Sequence, residues 1–200
     1  MNDKLYWNRR YASGGNSGSG SRGKLVDFKA EVINSLIKEY NVLSLLDLGC
    51  GDGYQLKEYK VPLYYGYDIS EEAIKLCEHQ YKDDITKIFG IYGLHPLPIV
   101  DMAISMDVLF HITDTKLLED YLNDLFGAAN KIVVIYAYDY NASDKDKFSS
   151  HYQPVSFTPI IKNQHPEWTL VKSIKNIFPV KLYGASNGSY SDFYVWKLDI

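Results

Sequence analysis

The stretch Leu46-Asp47-Leu48-Gly49-Cys50-Gly51-Asp52-Gly53 decides how this chain is read. Leu43–Leu48 reads as a buried-strand run, and it stops at glycines 49, 51 and 53. A glycine-rich turn leaving a strand lets a ligand approach the backbone and presents free N–H groups. A second apolar run, Leu63–Tyr67, follows and ends at Asp68. A carboxylate placed about twenty residues after such a turn can accept bonds from both ribose hydroxyls of a nucleoside. The glycine spacing separates two ligand classes. A dinucleotide G-x-G-x-x-G would put its third glycine at position 54, where Tyr54 stands.

Working outward, helix and strand signals alternate. Upstream, apolar residues at 25, 28, 32, 33, 36, 37 and 40 predict a helix over Lys24–Tyr40. Downstream, Ser70 reads as an N-cap, with Glu71 and Glu72 in the first turn and an Ile69–Ile74 staple, for a helix reaching Gln80. Lys87–Phe89 and Val100–Met106 read as strands. Asp114 caps a helix to Ala128 that turns Leu117, Leu118, Tyr121, Leu122, Leu125 and Phe126 inward. Lys131–Ala137 is a fifth strand. A polar stretch, 138–156, precedes a short helix at 158–164 with Pro159 in its first turn. Trp168–Phe178 and Asp192–Leu198 read as two late strands joined through the turn-rich Gly184–Gly188. The expected fold is α/β: a Rossmann-like, doubly wound sheet of about seven strands, mostly parallel, with an antiparallel late pair and helices on both faces.

Bulk composition agrees with one domain. The chain has 200 residues, 46% hydrophobic and 23% charged, and a net charge of −4. No apolar run approaches the ~18 residues of a membrane span. A phosphate-tracking surface is normally basic, so nucleic acid is a disfavoured partner. Cys50 and Cys77 lack C-x-x-C spacing, which with the polar N-terminus gives a cytoplasmic expectation. The five histidines have no mutual metal-ligand spacing, so no metal is expected. Tyrosine is in excess, with 18 residues. Its amphipathic ring suits a half-wet pocket. Tyr6, Tyr11 and Tyr54 are expected beside the ligand, and Tyr136, Tyr138 and Tyr140 along its rim.

The run Asp-Leu-Gly-Cys-Gly-Asp-Gly over 47–53 resembles the first motif of the class I S-adenosylmethionine-dependent methyltransferases. The resemblance extends over about residues 43–137 and takes in Asp68 and the fourth-strand segment Asp101–Ile112. It implies S-adenosylmethionine as cofactor. Gly49, Cys50 and Gly51 would pass against its methionine part, with Gly53 completing the turn and Asp47 near the amino group. Asp68 and Ile69 would hold ribose and adenine. Ser105, Met106 and Asp107 would line the far wall. Many members carry an acidic residue after strand three, where Tyr92 or Gly93 stands here. The sequence lacks the Asn/Asp-Pro-Pro-Tyr and Pro-Cys signatures of DNA methylation.

The front end carries a second resemblance. Tyr6-Trp7-x-x-Arg10-Tyr11, the Gly/Ser run 14–23 and Phe28-Lys29-Ala30 look like a small methyltransferase subgroup of polysaccharide and phage settings, as does Ser191-Asp192-Phe193-Tyr194. Residues 1–40 are expected to form helices and a glycine/serine lid packed on a methyltransferase domain over 41–200. Trp7 reads either as a core anchor or, with Arg10, as a cofactor contact, since a sulfonium sits well on an aromatic face. Residues 14–23 read either as a linker or as a lid with an anion site, in which Tyr11, Asn16, Ser17 and Arg22 would meet the substrate. His151 is a further substrate candidate, with solvent exposure as its plainer reading. His111, just past strand four, is either a packed histidine or the general base, and Asp107 either cofactor wall or a second catalytic group. The expected reaction is methylation of an oxygen or nitrogen of a small polar acceptor, with a saccharide or phosphate-bearing metabolite first. The alternatives are an RNA or protein methyltransferase, a dehydrogenase, and a non-catalytic module of the same fold.

Overall fold

The structure, a computed structural model, describes residues 3–139 and 155–199. Helix α1 (Asp3–Ala12) leads through a single 3-10 turn at Ser19–Ser21 into α2 (Lys24–Glu39). Then follow β1 (Ser44–Leu48), β2 (Leu63–Asp68), α3 (Glu71–Gln80), β3 (Lys87–Ile91), β4 (Val100–Met106), α4 (Thr115–Gly127) and β5 (Ala129–Ala137). The chain closes with α5 (Thr158–Gln164), β6 (Trp168–Ile174), α6 (Val180–Tyr183) and β7 (Asp192–Leu198).

The seven strands lie in the order β3-β2-β1-β4-β5-β7-β6. Neighbours from β3 to β5 are parallel, whereas β7 runs antiparallel to both β5 and β6. The strand order reverses beside β1, so the ends of β1 and β4 splay into the crevice where open α/β sheets take ligands.

Strand alternation sorts the core into two layers. Leu45, Met102, Ile104, Ile132 and Val134 face Phe28, Ile33, Leu36 and Ile37 of α2. Leu46, Leu48, Ala103, Val133 and Ile135 face Leu118, Leu122, Leu125 and Phe126 of α4. Successive side chains on a strand point to opposite faces, so near-continuous apolar runs are what a sheet covered on both sides requires. The expected caps are made: Ser70 Oγ accepts from the Ala73 amide, and an Asp114 oxygen accepts from the Leu117 amide.

Three local readings are corrected. Leu117 does not turn inward. It is 58% exposed and lies at the mouth of a cavity, because it stands in the first turn of α4, at the edge of the Leu118–Leu122–Leu125 stripe. Tyr136 is no rim residue but is fully buried against Phe193, on the same strand face as Ile132 and Val134. The strand expected to reach Phe178 stops at Ile174, and α6 was not foreseen. No helix among the described residues is long and apolar enough to cross a membrane.

Candidate active site

A cavity of about 830 Å³ opens at the carboxyl ends of β1, β2 and β4. One end is built on the glycine turn. Gly49, Cys50 and Gly51 line it, and both glycines have positive φ, at 92° and 57°. A Cβ at Gly49 would stand 2.4 Å from Val108 Cγ2, and one at Gly51 would stand 2.3 Å from Ser17 Oγ. Only glycine fits either place, by conformation and by space. The Gly49 and Cys50 amides donate to the Tyr67 carbonyl at 2.6 and 3.1 Å, tying the turn to the end of β2.

Asp68 stands beside this turn. Its two carboxylate oxygens accept from the Gly51 amide at 2.9 Å and the Ser70 amide at 2.8 Å. Each oxygen retains a lone pair, and the group still lines the cavity. Burial pushes its carboxyl up to about 6, against the opposing pull of those two amides. A glycine cradle closed to any Cβ, next to a carboxylate with spare acceptor capacity, fits the ribose and methionine parts of an adenosyl cofactor. Ile69 lines the same end. So does Tyr92, whose hydroxyl donates to Asp124 at 2.7 Å.

Helix α1 and the glycine/serine loop roof the cavity. Asn8 Oδ1 accepts from Ser70 Oγ at 2.8 Å, and Lys4 pairs with Glu71 at 2.9 Å, so α1 is pinned to the start of α3. Trp7 lies stacked on Tyr11, with ring centroids 5.9 Å apart, and meets the His111 ring edge-on at 5.1 Å. The loop is latched rather than loose. Ser17 and Asp52 exchange two bonds of 3.2 Å, backbone amide to side chain in each direction. Arg22 pairs with Asp52 at 2.6 Å and lies 3.9 Å over the Tyr54 ring. Burial alone would raise the Asp52 carboxyl, but Arg22 and Ser17 outweigh it and hold the group below its ordinary value.

The other end of the cavity is polar. Asp107, at the end of β4, has φ of 61°, an uncommon backbone state for a residue with a side chain. Its Oδ2 accepts from Lys29 Nζ at 2.8 Å, and its Oδ1 accepts from Ser191 Oγ at 3.0 Å. Met106 and His111 line the same space, as do Ser21, Ser189 and Tyr190. Lys29 is wholly buried beneath, 5.1 Å from the centroid of the Tyr136 ring.

The expected residues therefore divide. Trp7, Arg10, Tyr11 and Ser17 reach the cavity from the roof, and Gly49–Gly51, Asp68, Ile69, Met106, Asp107 and His111 from the sheet. Five others do not line it. Asp47 points from β1 toward the α2 layer, where Tyr64 donates to it at 2.9 Å and burial pushes its carboxyl up to about 7. Gly53 packs on Cys77 and Tyr81. Ser105 lies on the buried α4 face, bonded to the Tyr121 hydroxyl at 2.7 Å. Arg22 is turned to Asp52, and Asn16 accepts from Arg10 Nε at its carbonyl, 2.6 Å away. His151 and Tyr140 lie outside the described residues. Lys29 went unassigned. Its signal was its position, a lysine on the apolar stripe four residues from both Leu25 and Ile33. No group of three His, Cys, Asp or Glu side chains arranged to hold a metal occurs among the described residues.

Comparison with known proteins agrees with this architecture. Residues 46–125 match a family profile described as a methyltransferase domain. The N-methyltransferase NodS from Bradyrhizobium japonicum WM9, solved with S-adenosyl-L-homocysteine, is similar over 100% of both chains, with a TM-score of 0.74 at 12% identity. Magnesium protoporphyrin IX methyltransferase from Synechocystis PCC 6803, also with S-adenosylhomocysteine, covers 98% of this chain and 97% of its own, with a TM-score of 0.69 at 15% identity. The CurJ carbon methyltransferase matches 91% of this chain over 57% of its own, with a TM-score of 0.64 at 14% identity. Identities this low carry the fold alone. No curated protein matches by sequence.

Proposed function

We propose that this chain, an S-adenosylmethionine-dependent methyltransferase by domain and fold, methylates an oxygen or nitrogen of a small polar acceptor, a saccharide or phosphate-bearing metabolite first. The observation that carries the reading is one continuous cavity. It joins the glycine cradle and Asp68 at one end to Asp107 and His111 at the other. Bound S-adenosylmethionine supplies a methyl group already activated on a sulfonium. The chain's own task is then alignment, which converts binding into orientation. Gly49–Gly51 and Asp68 hold the donor end, with Trp7 and Arg10 over it. Asp107 and the surrounding hydroxyls hold the acceptor. His111 receives the proton of an acceptor hydroxyl, while a neutral amine needs no such step. Tyr11 and Ser17, linked by a 3.0 Å hydrogen bond, keep the roof seated over both.

Calorimetry with S-adenosylhomocysteine tests the donor site. Asp68→Ala is expected to weaken binding by about 1–3 kcal/mol, through the lost ribose bonds. Unchanged affinity refutes the ribose assignment. The same group predicts a pH dependence. Ribose hydroxyls donate to an ionised carboxylate, so the bound state disfavours the proton that Asp68 holds below about 6. Affinity is therefore full above that pH and falls as pH drops through it. The Asp68→Asn variant should lose this dependence. A profile in wild type that stays flat down to pH 5 removes Asp68 from the contact. A thermal-shift comparison of S-adenosylhomocysteine with NAD separates the methyltransferase from a dehydrogenase, and stabilisation by neither favours a non-catalytic module.

A further inference from the structure

We infer that the acceptor end of the cavity is built for an uncharged polyhydroxyl compound, with Asp107 as its fixed hydrogen-bond acceptor and with Lys29 and Ser191 as the residues that position that carboxylate. This rests on the methyltransferase reading and narrows it. Three distant segments meet at one side chain. Lys29 comes from the buried face of α2, 78 residues before Asp107, and Ser191 from the approach to β7, 84 residues after it. Their bonds fix both oxygens, yet a carboxylate offers roughly four acceptor positions, so capacity is left toward the cavity.

The charge arrangement selects the ligand class. The Lys29 side chain is 1% exposed, so it cannot itself meet a ligand, but it matches the Asp107 charge from below. An ammonium group approaching Asp107 therefore meets little net attraction. A phosphate meets a carboxylate oxygen first. Three described cations near the roof are held by groups of their own. Lys4 pairs with Glu71 and Arg22 with Asp52, and Arg10 donates to the Asn16 carbonyl and the Tyr6 hydroxyl. What the described residues present at this end is lone pairs and hydroxyls, from Ser19, Ser21, Ser189 and Ser191. The wall is also thin. A Cβ at Gly20 would stand 3.0 Å from Asp107 Oδ2, so glycine there leaves the carboxylate uncrowded. Hydroxyl groups can donate to Asp107 without the ligand bringing a charge of its own to be desolvated, which is where the cost of binding an ion lies.

Saturation-transfer NMR on the complex with S-adenosylhomocysteine tests this with three probes of one skeleton: methyl α-glucopyranoside, glucosamine and glucose 6-phosphate. The neutral glucoside is expected to receive saturation severalfold more strongly than the other two. Ser191→Ala should weaken glucoside binding by about threefold to tenfold, the worth of one positioning bond. It should leave the affinity for S-adenosylhomocysteine within about twofold of wild type, because Ser191 stands away from the glycine cradle. Asp107→Asn should erase the preference for the neutral probe. Equal or stronger transfer to the amine or the phosphate overturns the inference. So does unchanged glucoside binding in Ser191→Ala, or transfer to none of the three. Failure of wild type to bind S-adenosylhomocysteine would instead bring down the methyltransferase reading itself.

Discussion

Replacing His111 by alanine is expected to lower turnover roughly 10²–10⁴-fold, the usual contribution of a positioned general base. The reason is geometric. His111 sits one turn beyond the end of β4, in the cavity that also holds Asp68 and Asp107. It is also a packing residue, since its ring meets Trp7 edge-on and lies 4.6 Å from Phe110. His111→Phe separates the two roles. Phenylalanine keeps a ring against Trp7 and removes the proton acceptor, so turnover should fall as far as in His111→Ala while thermal stability recovers. The measurement is transfer of labelled methyl from S-adenosylmethionine to the acceptor, alongside S-adenosylhomocysteine affinity, which should stay nearly constant. If turnover in either variant stays within a few-fold of wild type, His111 is not the base. An amine acceptor that arrives neutral would give that result.

Lys29→Met is expected to destabilise the fold by about 3–5 kcal/mol, because it strands one partner of a buried ion pair. For a chain of this length that is a fall in melting temperature of roughly 6–20 °C. Lys29 is fully buried, and Asp107 keeps 17% side-chain exposure, so screening of the pair by water is limited. The double variant Lys29→Met/Asp107→Asn should regain most of the loss, since removing both charges leaves no ion unpaired. Urea unfolding of the four proteins in the cycle gives the coupling directly. Additive effects of the two substitutions would show that the charges do not interact in solution.

The legibility of the site follows the same division as these two predictions. Asp68 could be placed beside the glycine turn because its position is set by local rules: β2 ends there, and the turn lies about twenty residues upstream. His111 could be placed at the crevice because β4 is a mostly apolar run whose end is visible in the sequence. Asp47 and Ser105 stand in the expected segments, but their side chains do not line the cavity. A strand buried on both faces gives no polar alternation to tell which residue points where. Gly53 and Arg22 were assigned to a ligand and instead serve the turn and the roof, because a motif gives the order of residues but not their partners. Phe28-Lys29-Ala30 and Ser191–Tyr194 stood out in the sequence, but nothing in it showed that Lys29 and Ser191 meet at Asp107.

By itself, the sequence determined the order of the strands and of the longer helices, the parallel character of the early sheet, the glycine turn and the carboxylate that ends β2. These are written in periodicities of two and 3.6 residues and in turn chemistry, which act over one or two elements. Tertiary structure alone decided that Lys29, Asp107 and Ser191 form one cluster, and that the loop over residues 13–23 is latched through Asp52. A single polar residue carries no period. Its partner is chosen by the packing of whole elements against one another, across separations of 78 and 84 residues, where local pattern has nothing to say.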